Sequence, residues 1–154
     1  MNLQKNISLK PYNTFGIDVP AATLAAFETV DELTELLEAK PGTGPLLVLG
    51  GGSNILFTKP FDGLVLLNRI PGIHLIKEDD EHVWVRAGAG ENWHNFVLHC
   101  IQQGWAGVEN LSLIPGCVGA SPMQNIGAYG VEIKDVFDSL QAIHVHDKTT
   151  VTFT

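Results

Sequence analysis

Apolar positions along this chain recur with two spacings, one of strands and one of helices. Ala22 to Phe27 is a compact apolar run and predicts a short strand. Thr29-Val-Asp-Glu32 has the form of a capping box, in which the Thr oxygen and the Glu carboxylate each take a free backbone N–H. The helix it opens carries Leu33, Leu36 and Leu37 on one face and is predicted to stop at Pro41-Gly42. Pro45-Leu-Leu-Val-Leu49 is wholly apolar and reads as a strand buried on both faces, and Leu64 to Leu67 reads as another. Residues 11–20, with two prolines and a glycine, form a structured loop before them. The order strand, helix, strand, strand predicts a small α/β unit over 1–68 and a second unit over 69–154.

In the second unit His82 to Arg86 alternates as a strand. Trp93, Phe96, Val97, Cys100 and Ile101 recur at helical spacing, giving a helix with one apolar face, which Asn92 would cap and Gly104 would stop. Gln141 to His146 and Thr150 to Phe153 read as strands around an Asp147-Lys148 turn. The last strand meets the C-terminus without a cap or polar tail, which suggests a chain cut within a larger protein.

Composition narrows the classes. Of 154 residues, 45% are apolar and 17% charged, too apolar for a disordered segment. The 16 glycines and 8 prolines imply many turns and special backbone conformations. A net charge of −8 without a basic run argues against nucleic acid and anionic membrane as partners. No apolar run approaches the roughly 18 residues of a membrane span. Met1 to Asn6 lacks the apolar core of a signal peptide. Cys100 and Cys117 fit neither a metal spacing nor a disulfide framework, which points to the reducing cytoplasm.

Three segments bear on chemistry. The first is Gly50-Gly-Gly-Ser-Asn54, directly after an apolar strand. Its glycines let consecutive N–H groups point into one concavity that suits a phosphate, and Ser53 and Asn54 can add donors. A plain tight turn is the competing reading. The second, Gly88-Ala-Gly90, imitates a dinucleotide fingerprint, but the third glycine would fall at Trp93, whose indole blocks the helix–strand contact that a glycine allows. A turn into the helix is preferred. The third, Asn110 to Val131, carries no charge between Glu109 and Glu132, although a chain that is 17% charged would ordinarily place several in such a length. A long apolar loop must pair its backbone groups with something, either a flat, polar-edged ligand or its own core.

The histidines give no metal site. His94 and His99 lie on different helix faces, and His144 and His146 lack a third ligand. Trp84, Trp93 and Trp105 read as core or rim residues.

Taken together, Asn13-Thr-Phe-Gly-Ile17, Leu49-Gly-Gly-Gly-Ser-Asn-Ile-Leu-Phe57, Gly88-Ala-Gly-Glu-Asn-Trp-His94 and the stretch Glu109 to Gly130 closely resemble the UDP-N-acetylenolpyruvoylglucosamine reductase family of bacterial cell-wall precursor synthesis. The resemblance implies an α+β FAD-binding module of the vanillyl-alcohol-oxidase type, with two subdomains and non-covalent FAD between them. It implies NADPH as hydride donor to FAD and UDP-N-acetylenolpyruvoylglucosamine as the acceptor, giving UDP-N-acetylmuramate. By position, Gly50, Gly51, Gly52, Ser53 and Asn54 would hold the pyrophosphate. Gly116, Gly119, Ala120, Ser121, Asn125 and Gly127 would line the flavin, and Tyr129 would lie near the substrate.

The chain departs from the family by stopping early. The catalytic Arg, the proton-donating Ser and the Glu of the family, together with its substrate-binding domain, are expected beyond Thr154. Arg69 and Arg86 match neither role, so the chain alone is expected to be inactive. A non-catalytic flavin- or nucleotide-binding module is the alternative. An oxidase with covalently held flavin is a weaker one, with Cys117 the one candidate attachment point in the lining segment.

Overall fold

The computed structural model describes residues 2–39 and 42–154. Its main sheet takes four strands from the first part of the chain: β1 (Gln4–Ser8), β2 (Pro20–Phe27), β3 (Leu46–Leu49) and β4 (Phe61–Asn68). Their order is β1-β2-β4-β3, with β2, β4 and β3 parallel and β1 antiparallel to β2. Helix α1 (Val30–Glu38) lies between β2 and β3 in sequence.

β4 is a central strand, and its apolar run is split between two cores. Leu64 and Leu66 pack with Ala25, Phe27 and the α1 residue Leu36. Val65 and Leu67 face the other way and pack with Leu9, Leu24, Leu49 and Phe57. Continuous hydrophobicity is therefore used on both faces of β4, as in parallel sheets generally. The same expectation fails for β3. Among the described residues it pairs only with β4 and forms the sheet edge, where Val48 is 50% exposed. β1 has no sequence signal, because only Ile7 of its run Gln4 to Ser8 is apolar, and an outer strand needs no more than that.

The Thr29 half of the predicted capping box forms, but the Glu32 carboxylate reaches one residue further back than the box requires, to Glu28 rather than Thr29. Thr29 Oγ1 accepts the Glu32 N–H at 3.1 Å, and Glu32 Oε2 accepts the Glu28 N–H at 2.7 Å. α1 ends at Glu38 with Ala39 as its cap; of the predicted stop Pro41-Gly42, Pro41 lies outside the described residues.

The rest of the chain forms a separate core around α2 (Trp93–Gln103) and the antiparallel hairpin of β5 (Ile73–Glu78) and β6 (Val83–Ala87). β5 escapes the sequence reading because the adjacent Leu75-Ile76 and Lys77-Glu78 break the alternation, where the pairing with β6 also shifts register. Trp93, Phe96, Val97 and Cys100 of α2 are buried, as the helical spacing predicts. Ile101 is not: it lies at the margin of the apolar stripe and is 49% exposed. The Asn92 side chain caps α2 by accepting the Asn95 N–H at 3.0 Å. Gly104 ends it in the left-handed conformation, at φ +77°. That turn lets the Trp105 N–H reach the Cys100 carbonyl at 2.9 Å.

Two short hairpins follow: β7 (Gly127–Ala128) with β8 (Val131–Glu132), and β9 (Leu140–Ile143) with β10 (Thr150–Phe153). β9 ends before His144, which instead contacts Asp147 at 2.9 Å in the connecting turn. Among the described residues no helix is long and apolar enough to cross a membrane, and no three His, Cys, Asp or Glu side chains converge on a metal position.

The two-core arrangement of β4 gives a direct contrast. Leu66→Ala is expected to lower unfolding free energy by about 2–5 kcal/mol. Val48→Ala, at the paired position on the exposed edge, should cost less than about 1 kcal/mol. Urea unfolding followed by circular dichroism measures both, and equal losses would contradict the assignment of β3 to the edge.

Candidate functional site

The site is built where β3 ends. Leu49 is buried, and the chain then turns through Gly50 to Asn54 at the C-terminal end of a parallel strand. Gly52 has φ +65°, and a Cβ there would overlap the carbonyl oxygen of Tyr12. Only glycine fits that conformation and that approach. The Gly52 carbonyl accepts the Thr14 N–H at 3.1 Å. Among the described residues, the N–H groups of Gly52, Ser53 and Asn54 have no protein acceptor. Gly51 differs from Gly52. Its φ is not positive, and a Cβ added there would meet Gly116 Cα at an ordinary 3.5 Å. Gly52 thus fixes the course of the turn, while Gly51 faces Gly116 and the Cys117 thiol.

The uncharged segment lies across from this turn. A Cβ at Gly51 would stand 3.7 Å from the Cys117 sulfur, and the Ser53 hydroxyl oxygen lies 3.3 Å from where a Gly116 Cβ would stand. Asn54 Nδ2 donates to Gln124 Oε1 at 2.7 Å. Two segments far apart in the sequence therefore meet, with Gly116 and Gln124 facing Gly51 to Asn54. The sequence reading leaves Gln124 and Cys117 out of this cluster. Neither carries a local signal for it, since both pairings are long-range.

Much of the backbone of the uncharged segment is paired with the entry to α2. Trp93 N–H donates to Gly116 O at 3.0 Å, Val118 N–H to Glu91 O at 2.9 Å and Gly119 N–H to Ala89 O at 3.0 Å. Trp93 Nε1 donates to the Leu111 carbonyl at 2.8 Å. His94 Nδ1 is 3.0 Å from Ser112 Oγ and 3.3 Å from the Leu113 nitrogen, whose N–H makes the ring nitrogen an acceptor. Leu111, Ile126 and Ile133 enter the α2 core. The backbone of 111–119 is therefore packed on its own core, as the second of the two readings has it, while Leu113, Pro115, Met123 and Tyr129 remain exposed.

The other predicted residues are distributed along this segment. Gly119 sits tightly against Ala89, and Ala120 belongs to a 3-10 turn, Val118–Ala120. Ser121 is buried, and its hydroxyl donates to the Val118 carbonyl at 2.7 Å. Asn125 and Gly127 border a different depression, an open cleft of about 630 Å³ shared with Ala128, Val131, Glu132 and Lys134. There Glu132 is paired with Lys134, which holds its carboxyl below the usual range. Tyr129 has φ +53° at the tip of the β7–β8 hairpin and is 88% exposed. The structure thus gathers Gly50 to Asn54 with Gly116, and leaves Asn125, Gly127 and Tyr129 on a neighbouring surface.

Gly88 and Gly90 have a packing role. Added Cβ atoms would run into the backbone of Arg69 to Pro71, and the Gly90 N–H donates to the Ile70 carbonyl at 2.9 Å. They let this turn press against the strand-to-hairpin connection, in keeping with its reading as a turn.

Both thiols are harder to ionise than a free cysteine. Burial raises Cys100 to about 11. Burial also raises Cys117, opposed by the Gly51 N–H and reinforced by the charge of Glu91. A thiol whose pKa is higher folded than unfolded stabilises the fold below its unfolded pKa, and that contribution is lost as pH rises through the folded value. Stability should therefore fall between about pH 9 and about pH 11. At mildly alkaline pH, iodoacetamide should label the half-buried Cys117 well before Cys100, as read by peptide mass spectrometry. Equal rates would contradict this placement of the two thiols.

Comparison with known proteins adds family membership to this geometry. The family model described as "FAD binding domain" matches residues 21–153. The chain is 51% identical over all of its length to a UDP-N-acetylenolpyruvoylglucosamine reductase of Flavobacterium johnsoniae, and covers 45% of that protein. It is 52% identical over 99% of its length to the enzyme of the same name from Pseudomonas aeruginosa, again covering 45%. The crystal structure of UDP-N-acetylenolpyruvylglucosamine reductase from Thermus caldophilus superposes with a TM-score of 0.75 at 28% identity, over 99% of this chain and 52% of that one. The chain thus spans about half the length of the relatives it matches. The α+β arrangement, the glycine turn after β3 and a family match running from β2 to β10 lead to one assignment: this chain belongs to the FAD binding domain family.

Proposed function

We propose that this chain binds FAD non-covalently and forms the FAD-binding portion of a reductase that converts UDP-N-acetylenolpyruvoylglucosamine to UDP-N-acetylmuramate with NADPH, in the cytoplasm. The observation that carries the reading is the open set of N–H groups on Gly52, Ser53 and Asn54, set opposite an uncharged segment at Gly116. Its support from relatives is the 51% identity along the whole chain. The residues present fit such a cofactor. A diphosphate needs convergent donors without a carboxylate among them, and the glycine turn offers backbone donors that no described protein group uses. The net charge of −8 acts at long range, where salt screens beyond about 8 Å, so the local amides dominate.

In this reading Gly52 shapes the diphosphate cradle, Ser53 and Asn54 add donors, and Asn54 is held by Gln124. The segment around Gly116 provides a flat, charge-free wall for the flavin, and Tyr129 faces the substrate side. Bound FAD supplies a two-electron carrier between NADPH and the enolpyruvyl double bond. The two subdomains divide at Asn68 and Arg69. The resemblance assigns the stabilising arginine, the protonating serine and the glutamate to segments outside this chain, so the chain by itself is proposed to bind FAD without turnover.

Titration of the apo-chain by flavin fluorescence tests the binding. FAD should bind more tightly than FMN, which lacks the bridging diphosphate and the adenosine. Equal affinities would remove the role of Gly50 to Asn54. Gly51→Asp places a carboxylate beside the glycine turn, facing Gly116, at a position where a Cβ makes only ordinary contacts. It should weaken FAD binding at least about tenfold, near 1.4 kcal/mol, with a native circular dichroism spectrum, while Gly51→Ala binds nearly as the parent does. Unchanged affinity in Gly51→Asp would place the diphosphate elsewhere.

A further inference from the structure

The Asn13-Thr-Phe-Gly-Ile17 segment carries part of the family resemblance, yet the proposed function gives it no task. The structure supplies one. Asn13 is buried and its side-chain amide is engaged at both ends. Nδ2 donates to the Leu9 carbonyl at 2.8 Å and to the Ile17 carbonyl at 2.9 Å, and Oδ1 accepts the Ile17 N–H at 3.0 Å. One side chain therefore closes the loop from Leu9 to Ile17. Leu9 is itself fully buried in the core beneath the sheet, so the loop is tied to rigid structure at that end. Between the ties, the loop reaches Gly52 from two sides: the Tyr12 carbonyl occupies the space of a Gly52 Cβ, and the Thr14 N–H donates to the Gly52 carbonyl.

We propose that Asn13 is a positioning residue for the cofactor's diphosphate: by closing the 9–17 loop it holds the Gly52 peptide in the orientation that presents the N–H groups of Gly52, Ser53 and Asn54 to an anion. The inference rests on the FAD reading above. Its physical content is specific. Gly52 can rotate through many conformations, because glycine has no Cβ to restrict it. Something outside the turn must select φ +65°, and among the described residues the backbone hydrogen bond to Gly52 from outside the turn comes from Thr14. Asn13 bonds neither the turn's N–H groups nor the uncharged segment, so its loss should reach the ligand through the diphosphate alone.

The test compares FAD with riboflavin, which has the same ring system and no phosphate, in the parent chain and in Asn13→Ser. Serine is too short to span both carbonyls. FAD affinity should fall at least about tenfold while riboflavin affinity stays within about twofold. A parallel fall in both affinities would mean that Asn13 only stabilises the fold, and no change in either would mean that the cradle does not depend on it; each overturns the proposal. If Asn13→Ser does not fold, hydrogen exchange in the parent chain decides. FAD should slow exchange of the Thr14 amide and riboflavin should not, because only a bound diphosphate locks the Gly52 peptide that Thr14 holds. Equal slowing by both ligands, or none by FAD, overturns the proposal. Should the parent chain bind riboflavin but show no preference for FAD, the diphosphate cradle itself is wrong, and this inference falls with it.

Discussion

Burial of β4 on both faces is the constraint on which the first part of the chain depends. A strand with Leu64 and Leu66 on one side and Val65 and Leu67 on the other can lie only at the centre of a sheet with both faces covered. α1 covers one face. Leu9, Phe57 and the loop between β1 and β2 cover the other. Parallel pairing of β2 and β3 with β4 then brings β3 to its C-terminal end beside that loop. The glycine turn arises at the carboxyl end of a parallel strand, the usual place for ligands in such sheets.

The second half solves a different problem. A long, uncharged, glycine-rich stretch has few side chains with which to hold itself. It is held through its backbone. The turn and first residues of α2 supply Ala89 O, Glu91 O, Trp93 N–H, the Trp93 indole and the His94 imidazole, which together tie down Leu111 to Gly119. Asn92 caps the helix within the same short run. One segment thus starts a helix and fastens a loop, and the tight packing at Gly88 and Gly90 holds it against Arg69 to Pro71. The left-handed residues Leu113, Asn125 and Tyr129 lie in this stretch; Asn adopts that conformation readily, and Tyr129 takes it with Gly130 in the tight turn of the β7–β8 hairpin.

The charge distribution follows the same division. Charged side chains are absent from 110–131 and reappear at Glu132, Lys134 and Asp135, where the β7–β8 hairpin ends. Glu132 and Lys134 pair there, and Asp147 takes His144 and Thr149 in the last hairpin. Lys134 thus supplies a counter-charge to Glu132, while Asp147 is held by hydrogen bonds from Thr149.

Much of this is legible in the sequence, because it depends on interactions within one or two turns of chain. The Thr29 cap, the Asn92 cap, the Gly104 stop and the buried stripe of α2 each need only neighbours at i+3 or i+4. The glycine turn and the uncharged stretch are visible as composition, and the motifs carry the family. What tertiary structure alone decided is whatever depends on a distant partner. β3 reads as buried because its residues are apolar, but its place at the edge follows from the strand order, which no local pattern encodes. Ile101 fits the helical period and yet faces solvent, because the core ends before it. β1 and β5 escape a sequence reading because outer strands take their stability from pairing rather than from apolar content. The choice of Gly52, and not Gly51, as the position with positive φ comes from Tyr12 and Thr14, far earlier in the chain. The meeting of Ser53 with Gly116, and of Asn54 with Gln124, joins two separate cores, a contact no spacing along the chain can express.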